Sequence, residues 1–76
     1  MKASYDKKVD AAYIQFSDEK IEESDEVFDG IIMDFTDEKR IVGIEILDAS
    51  KKFPVKTLFK YELDPETVES LFYTTA

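Results

Sequence analysis

The chain has 76 residues, no His and no Cys, 18 acidic residues against 10 basic ones, and a net charge of −8. That length sets a single domain over residues 1–76 with a modest core, and the missing residue types remove disulfides, thiolate or imidazole metal ligands and Ser–His or Cys–His catalysis. The negative charge has the wrong sign for nucleic acid or an anionic membrane surface, whereas a basic protein partner is electrostatically permitted.

"MKASY" alternates, with Met1, Ala3 and Tyr5 on one side and Lys2 and Ser4 on the other. "AAYIQF" alternates as well, grouping Ala12, Ile14 and Phe16. A period of two predicts a pair of strands. Asp6 and Asp10 flank the connection, where an Asp side chain bonds nearby backbone N–H groups and shapes a turn. Pairing Tyr5 with Ala12 puts both apolar sets on one face, and a one-residue slip would send every core side chain into water.

Residues 18–29, "DEKIEESDEVFD", hold seven acids and one Lys. This run is expected to be a solvated connection that carries most of the net charge. "GIIMDFTDEKRIVGIEIL" then predicts a second hairpin with a four-residue loop, Asp37 to Arg40. Its register pairs Phe35 with Val42, Met33 with Ile44 and Ile31 with Ile46. The other face carries Ile32, Asp34, Ile41, Gly43, Glu45 and Leu47. A strand pair that is apolar on both sides is usually covered on both sides, so the C-terminal segment or a second subunit should lie over it.

Asp48 or Ser50 can cap a short helical turn before Pro54. Residues 55–63 fit a strand better than a helix, because alternation groups Val55, Thr57, Phe59, Tyr61 and Leu63. "DPETVESLF" predicts a helix: Asp64 caps it, Pro65 takes the first position and Glu66 suits its positive end. Val68, Leu71 and Phe72 form one apolar stripe. The expected fold is α+β: a small, mostly antiparallel sheet of four or five strands with two hairpins and a C-terminal helix.

Three stretches carry a likeness to a known family. "SYDKKVDAAYIQFSD" (through Tyr5, Asp6, Asp10, Ala11, Tyr13, Ile14 and Phe16), "DGIIMDF" (through Gly30 and Asp34) and "VGIEILDAS" (through Gly43, Ile44, Glu45, Leu47 and Ser50) follow one another in order. Over about residues 1–52 the chain resembles the domain of unknown function 2283 family of small prokaryotic proteins. The resemblance implies a small, cytoplasmic β-rich domain, with no activity to carry over. It also implies stand-alone short proteins, some encoded beside small toxin-like ones, so an antitoxin-like role is the most it suggests.

Asp34 and Glu45 are the first candidate site. The predicted register makes them diagonal neighbours on one face, with Cβ atoms about 7–8 Å apart. That spacing suits a divalent cation, a small molecule or two-carboxylate acid–base work. The simpler reading makes them rim acids facing water, Lys51, Lys56 or Lys60. Glu22, Glu23, Asp25 and Glu26 are the candidate contacts for a basic partner. They are no calcium loop, since Val27 falls where the next alternate ligand is needed. Tyr5 and Tyr13 suit a ligand platform or, more simply, packing with a wetted hydroxyl. With two glycines in the chain there is no phosphate-binding loop, and no cofactor is expected.

Nothing opens the chain like a signal peptide, and its apolar runs are far too short for a membrane span. A cytoplasmic, non-enzymatic interaction module is therefore expected. Small scaffolds without disulfide or metal need another staple, so a homodimer is expected, with a basic protein as the other partner class.

Overall fold

The computed structural model describes residues 1–72. Its strands are β1 (Lys2–Asp6), β2 (Ala11–Gln15), β3 (Glu23–Phe28), β4 (Ile31–Phe35) and β5 (Ile41–Leu47). They form one antiparallel sheet in the order β1-β2-β5-β4-β3. Two helices follow, α1 (Ala49–Lys52) and α2 (Pro65–Phe72), with a 3₁₀ turn over Val55–Phe59 between them. The α+β expectation holds, and no helix among the described residues is long and apolar enough to cross a membrane.

The first hairpin has the expected register, Tyr5 opposite Ala12. Asp6 accepts the Lys8 N–H at 2.9 Å within the turn, and Asp10 takes a positive φ of 54°. In the second hairpin Ile31 faces Ile46 and Met33 faces Ile44, as the alternation requires. The expected Phe35–Val42 pair is corrected: Phe35 lies opposite Ile41, and the register shifts by one after Asp34. Thr36 is the cause. Its buried hydroxyl accepts the N–H groups of Glu38 and Arg40, at 3.2 and 3.1 Å, and pulls Thr36 out of the ladder into the loop. Val42 becomes the extra residue of a bulge. It is buried, and its carbonyl accepts the Phe16 N–H at 2.7 Å.

Two further expectations change. The acidic run is not only a connection, because Glu23–Phe28 pairs with β4 as the sheet's fifth strand. The Asp29–Gly30 turn, with Gly30 at φ +74°, returns the chain into β4. Residues 55–63 are not a strand. Val55–Phe59 coil into a 3₁₀ turn that meets β1, and residues 60–64 are irregular. Pro54 starts this turn, and its carbonyl accepts both the N–H and the hydroxyl of Thr57. Helix α2 forms as predicted. Asp64 accepts the Thr67 N–H and hydroxyl at 3.2 and 2.7 Å, which holds its carboxyl below the ordinary range.

Paired residues share a face of a sheet. One face is apolar from β1 to β4 and includes Ile14, Ile31, Met33, Phe35, Ile44 and Ile46. The other, mixed face carries Tyr13, Gln15, Ile32, Asp34, Gly43, Glu45 and Leu47. Among the described residues no helix makes an extensive contact with either face, the 3₁₀ turn meets the β1 edge, and the side chains of the apolar face are half-buried. The fully enclosed core is accordingly small, comprising Ala12, Val42 and Ala49 beside Thr36, and among the described residues no large side chain is completely buried. The radius of gyration is 14.8 Å, against about 11 Å for a compact chain of this length.

Candidate functional site

The mixed face is organised by Gly43. Gly43 stands between Gln15 of β2 and Asp34 of β4 in the central strand. Tyr13, one step along β2, reaches diagonally over it. Its hydroxyl donates to Asp34 Oδ2 at 2.7 Å. A Cβ on residue 43 would overlap the Tyr13 hydroxyl and ring end and would come within 3.0 Å of the Ile14 carbonyl. Glycine is thus what lets the phenol cross the strand. From the far side Ser24 Oγ donates to Asp34 Oδ1 at 2.5 Å. Both oxygens of the carboxylate are therefore engaged by hydroxyl donors, one from β2 and one from β3.

Glu45 lies on the same face, directly between Tyr13 and Ile32 in the register and diagonal to Asp34. It accepts no hydrogen bond among the described residues, and its charge acts on Tyr13 through space. Burial is the main cause that pushes the Tyr13 phenol up to about 12, followed by its bond to Asp34 and the charges of Asp34 and Glu45. The phenol stays a neutral donor at physiological pH. Asp34 and Glu45 thus share a face as the register predicts, and Tyr13, opposite Glu45, reaches across to Asp34. No third acid joins them, and no group of three Asp or Glu side chains converges among the described residues.

A second centre lies at the end of the sheet. The Asp10 carboxylate accepts the Tyr5 hydroxyl at 2.7 Å, the Ser50 hydroxyl at 2.7 Å and the Ser50 N–H at 3.0 Å. The Asp10 carbonyl accepts the Ala49 N–H at 3.0 Å. Helix α1 has Asp48 in the left-handed region at its start and no side-chain cap of its own. Asp10 supplies that cap from 40 residues away, satisfying a helix-start N–H that would otherwise lack a partner. The Tyr5 and Ser50 bonds hold the Asp10 carboxyl below its usual range, and the same bond raises the Tyr5 phenol. Both centres therefore have one build: an Asp receives a Tyr hydroxyl and a Ser hydroxyl from other parts of the chain.

The four candidate partner contacts of the acidic run, Glu22, Glu23, Asp25 and Glu26, sit on or beside the outer strand. Glu22 pairs with Lys20 at 3.2 Å, Glu23 with Lys39, and Glu26 accepts the Gly30 N–H at 3.0 Å. Lys39 is raised by its bond to Glu23. Glu23 and Asp25 stand opposite Phe35 and Met33 at the rim of the apolar face, and Ser24 and Glu26 opposite Asp34 and Ile32 on the mixed one. An outer strand exposes unpaired N–H and C=O groups that invite further strands, and carboxylates on both of its faces oppose that.

Sequence reasoning did not anticipate Ser24 as a partner of Asp34, because that requires β3. The Asp29–Gly30 pair was the available signal, since such a dipeptide between two runs marks a hairpin. The Asp10–Ser50 bond has no local signal.

No curated protein and no solved structure matches the chain. The residues of the two hydroxyl–carboxylate centres all fall within positions 2–50, the segment that matches the model described as protein of unknown function DUF2283. That segment is about two thirds of the sequence, and the chain belongs to this family.

Proposed function

We propose that the chain is a non-enzymatic protein-interaction module of the cytoplasm that works by offering the apolar face of its sheet to another polypeptide. The observation that carries this reading is that face itself: a five-stranded sheet, apolar from β1 to β4, on which no helix among the described residues makes an extensive contact. The chain exposes 6292 Å², where a compact protein of its mass exposes about 4,800 Å². The largest contiguous apolar patch on a monomer is often a functional one. The carboxylates at the centre of the mixed face favour a structural role over a cation site, because both Asp34 oxygens already hold hydroxyl donors.

The partner can be a second copy or a basic protein, the latter being the antitoxin-like version, and salt separates them. Association through apolar surface between two chains of net charge −8 tightens as salt screens their repulsion. Capture of a basic partner by Glu22, Glu23, Asp25 and Glu26 weakens instead. Light scattering at micromolar concentration, run from low to high ionic strength, tests the reading. A dimer mass that strengthens with salt supports the homotypic form. A monomer mass throughout, with no dye binding to the apolar face, refutes the interaction module.

A further inference from the structure

Resting on that reading, we propose that the occupant of the apolar face is the C-terminal arm of a second copy. Each chain lays α2 across the other's sheet, seating Val68, Leu71 and Phe72 on Ile14, Met33 and Ile44.

Three observations lead there. The first is that the arm is built for burial and does not get it. Val68, Leu71 and Phe72 lie at helical spacing on one stripe, and Tyr61 and Leu63 precede them. Leu71 and Phe72 are 71% and 73% exposed, and Tyr61 and Leu63 are also open. The helix makes no extensive contact with its own sheet, and the molecule extends to 43 Å along its longest axis but 19 Å along its shortest.

The second is area. Five strands about 4.8 Å apart and about 17 Å long present a planar face of roughly 400 Å². A stable association buries about 800 Å² on each partner. A flat face of this size is a small platform for two sheets alone, and an arm laid over it enlarges the contact. The arm adds to that area on each copy, with four exposed apolar side chains and the half-buried Val68. An eight-residue helix is about 12 Å long and fits within the span of the strands.

The third is that the other routes are closed. Addition of a strand at β3 meets Glu23, Asp25 and Glu26 on both sides of that edge. The β1 edge is met by the 3₁₀ turn over Val55–Phe59. What remains is the half-buried face of the sheet and the stripe of the arm, and both are apolar.

The absence of cysteine makes the test direct. Two full-length variants, Met33→Cys and Leu71→Cys, are prepared separately and mixed. They are treated with a bismaleimide long enough to span the face. Exchange predicts a cross-linked heterodimer in the mixture, in excess of what either variant yields alone. The Met33→Cys/Leu71→Cys double variant should likewise give linked dimers at micromolar concentration. If it closes only on itself as a monomer, the arm folds home and the proposal is overturned. If Met33→Cys links mainly to itself while the mass remains dimeric, sheets meet without arms: the exchange fails and the interaction module stands. A monomer mass with no link defeats both. As a second measurement, Leu71→Asp with Phe72→Asp should raise the dimer dissociation constant roughly a hundredfold, about one decade for each lost apolar anchor. An unchanged constant overturns the exchange.

Discussion

Replacing Gly43 with Ala tests how the mixed face is assembled. The added methyl would enter the space of the Tyr13 hydroxyl and ring end, and the Ile14 carbonyl 3.0 Å away limits any movement of the strand. The phenol must swing off the strand, which breaks its 2.7 Å bond to Asp34. A hydrogen bond to a charged group is worth about 1.5–3 kcal/mol, and Ala in a strand recovers about 0.5–1 kcal/mol over Gly. Ser24 still donates to Asp34, so the carboxylate is not left bare. The net expectation is a loss of about 1–2 kcal/mol, or roughly 5–15 °C in Tm for a domain of this size. Thermal melts followed by circular dichroism measure it directly. A double-mutant cycle with Tyr13→Ala assigns the cause: once the ring is gone, the cost should disappear and leave the small gain expected of Ala. If Gly43→Ala is neutral or stabilising with Tyr13 present, the overlap does not shape this face and the reasoning is wrong.

Tyr13 should also make stability depend on alkaline pH. Its phenol is raised in the folded state to about 12 from an ordinary 10.0, so the native chain binds more protons between those values. The stabilisation is complete below pH 10 and is lost as pH rises toward 12, by about 2 kcal/mol after allowance for solvent screening. Tyr13→Phe should flatten that limb of a denaturant-measured profile. Asp10 acts on the acid side with the opposite sign. Its carboxyl is held below 3.8, so its stabilisation is present above that value and is lost as pH falls through the folded value. Asp10→Asn should lower stability at neutral pH and shrink the acid-side slope. At the outer strand, changing Glu22, Glu23 and Glu26 to Gln and Asp25 to Asn should cause concentration-dependent association through that edge, visible by light scattering as a mass above that of the unaltered chain. An unchanged mass distribution would show that charge does not guard that edge.

Much of the sheet was legible because alternation is a strong local signal. It set Tyr5 opposite Ala12 and Met33 opposite Ile44, and it placed Asp34 and Glu45 on one face. Helix α2 was legible from Asp64, Pro65 and its stripe. The strand β3 was not, because its carboxylates are there to discourage pairing and read as a solvated run. The 55–63 segment misled for the converse reason. Its alternation is real, but Pro54 opens a turn with Thr57 instead. The bulge at Val42 depends on a hydroxyl accepting two loop N–H groups, which alternation does not encode. The candidate site was half legible: the register brings the acids to one face, while the hydroxyls that occupy Asp34 come from strands whose order only the fold defines.

The bond between Asp10 and Ser50 has a mechanical meaning. Strand β5 lies in the middle of the sheet, and the arm continues from its end through α1. A pull on the arm would otherwise peel β5 from its neighbours one rung at a time. Because Asp10 grips the Ala49 and Ser50 N–H groups together with the Ser50 hydroxyl, tension stops at that knot and passes into the first hairpin. Everything beyond it can be tugged, displaced or traded without loosening the fabric of the sheet.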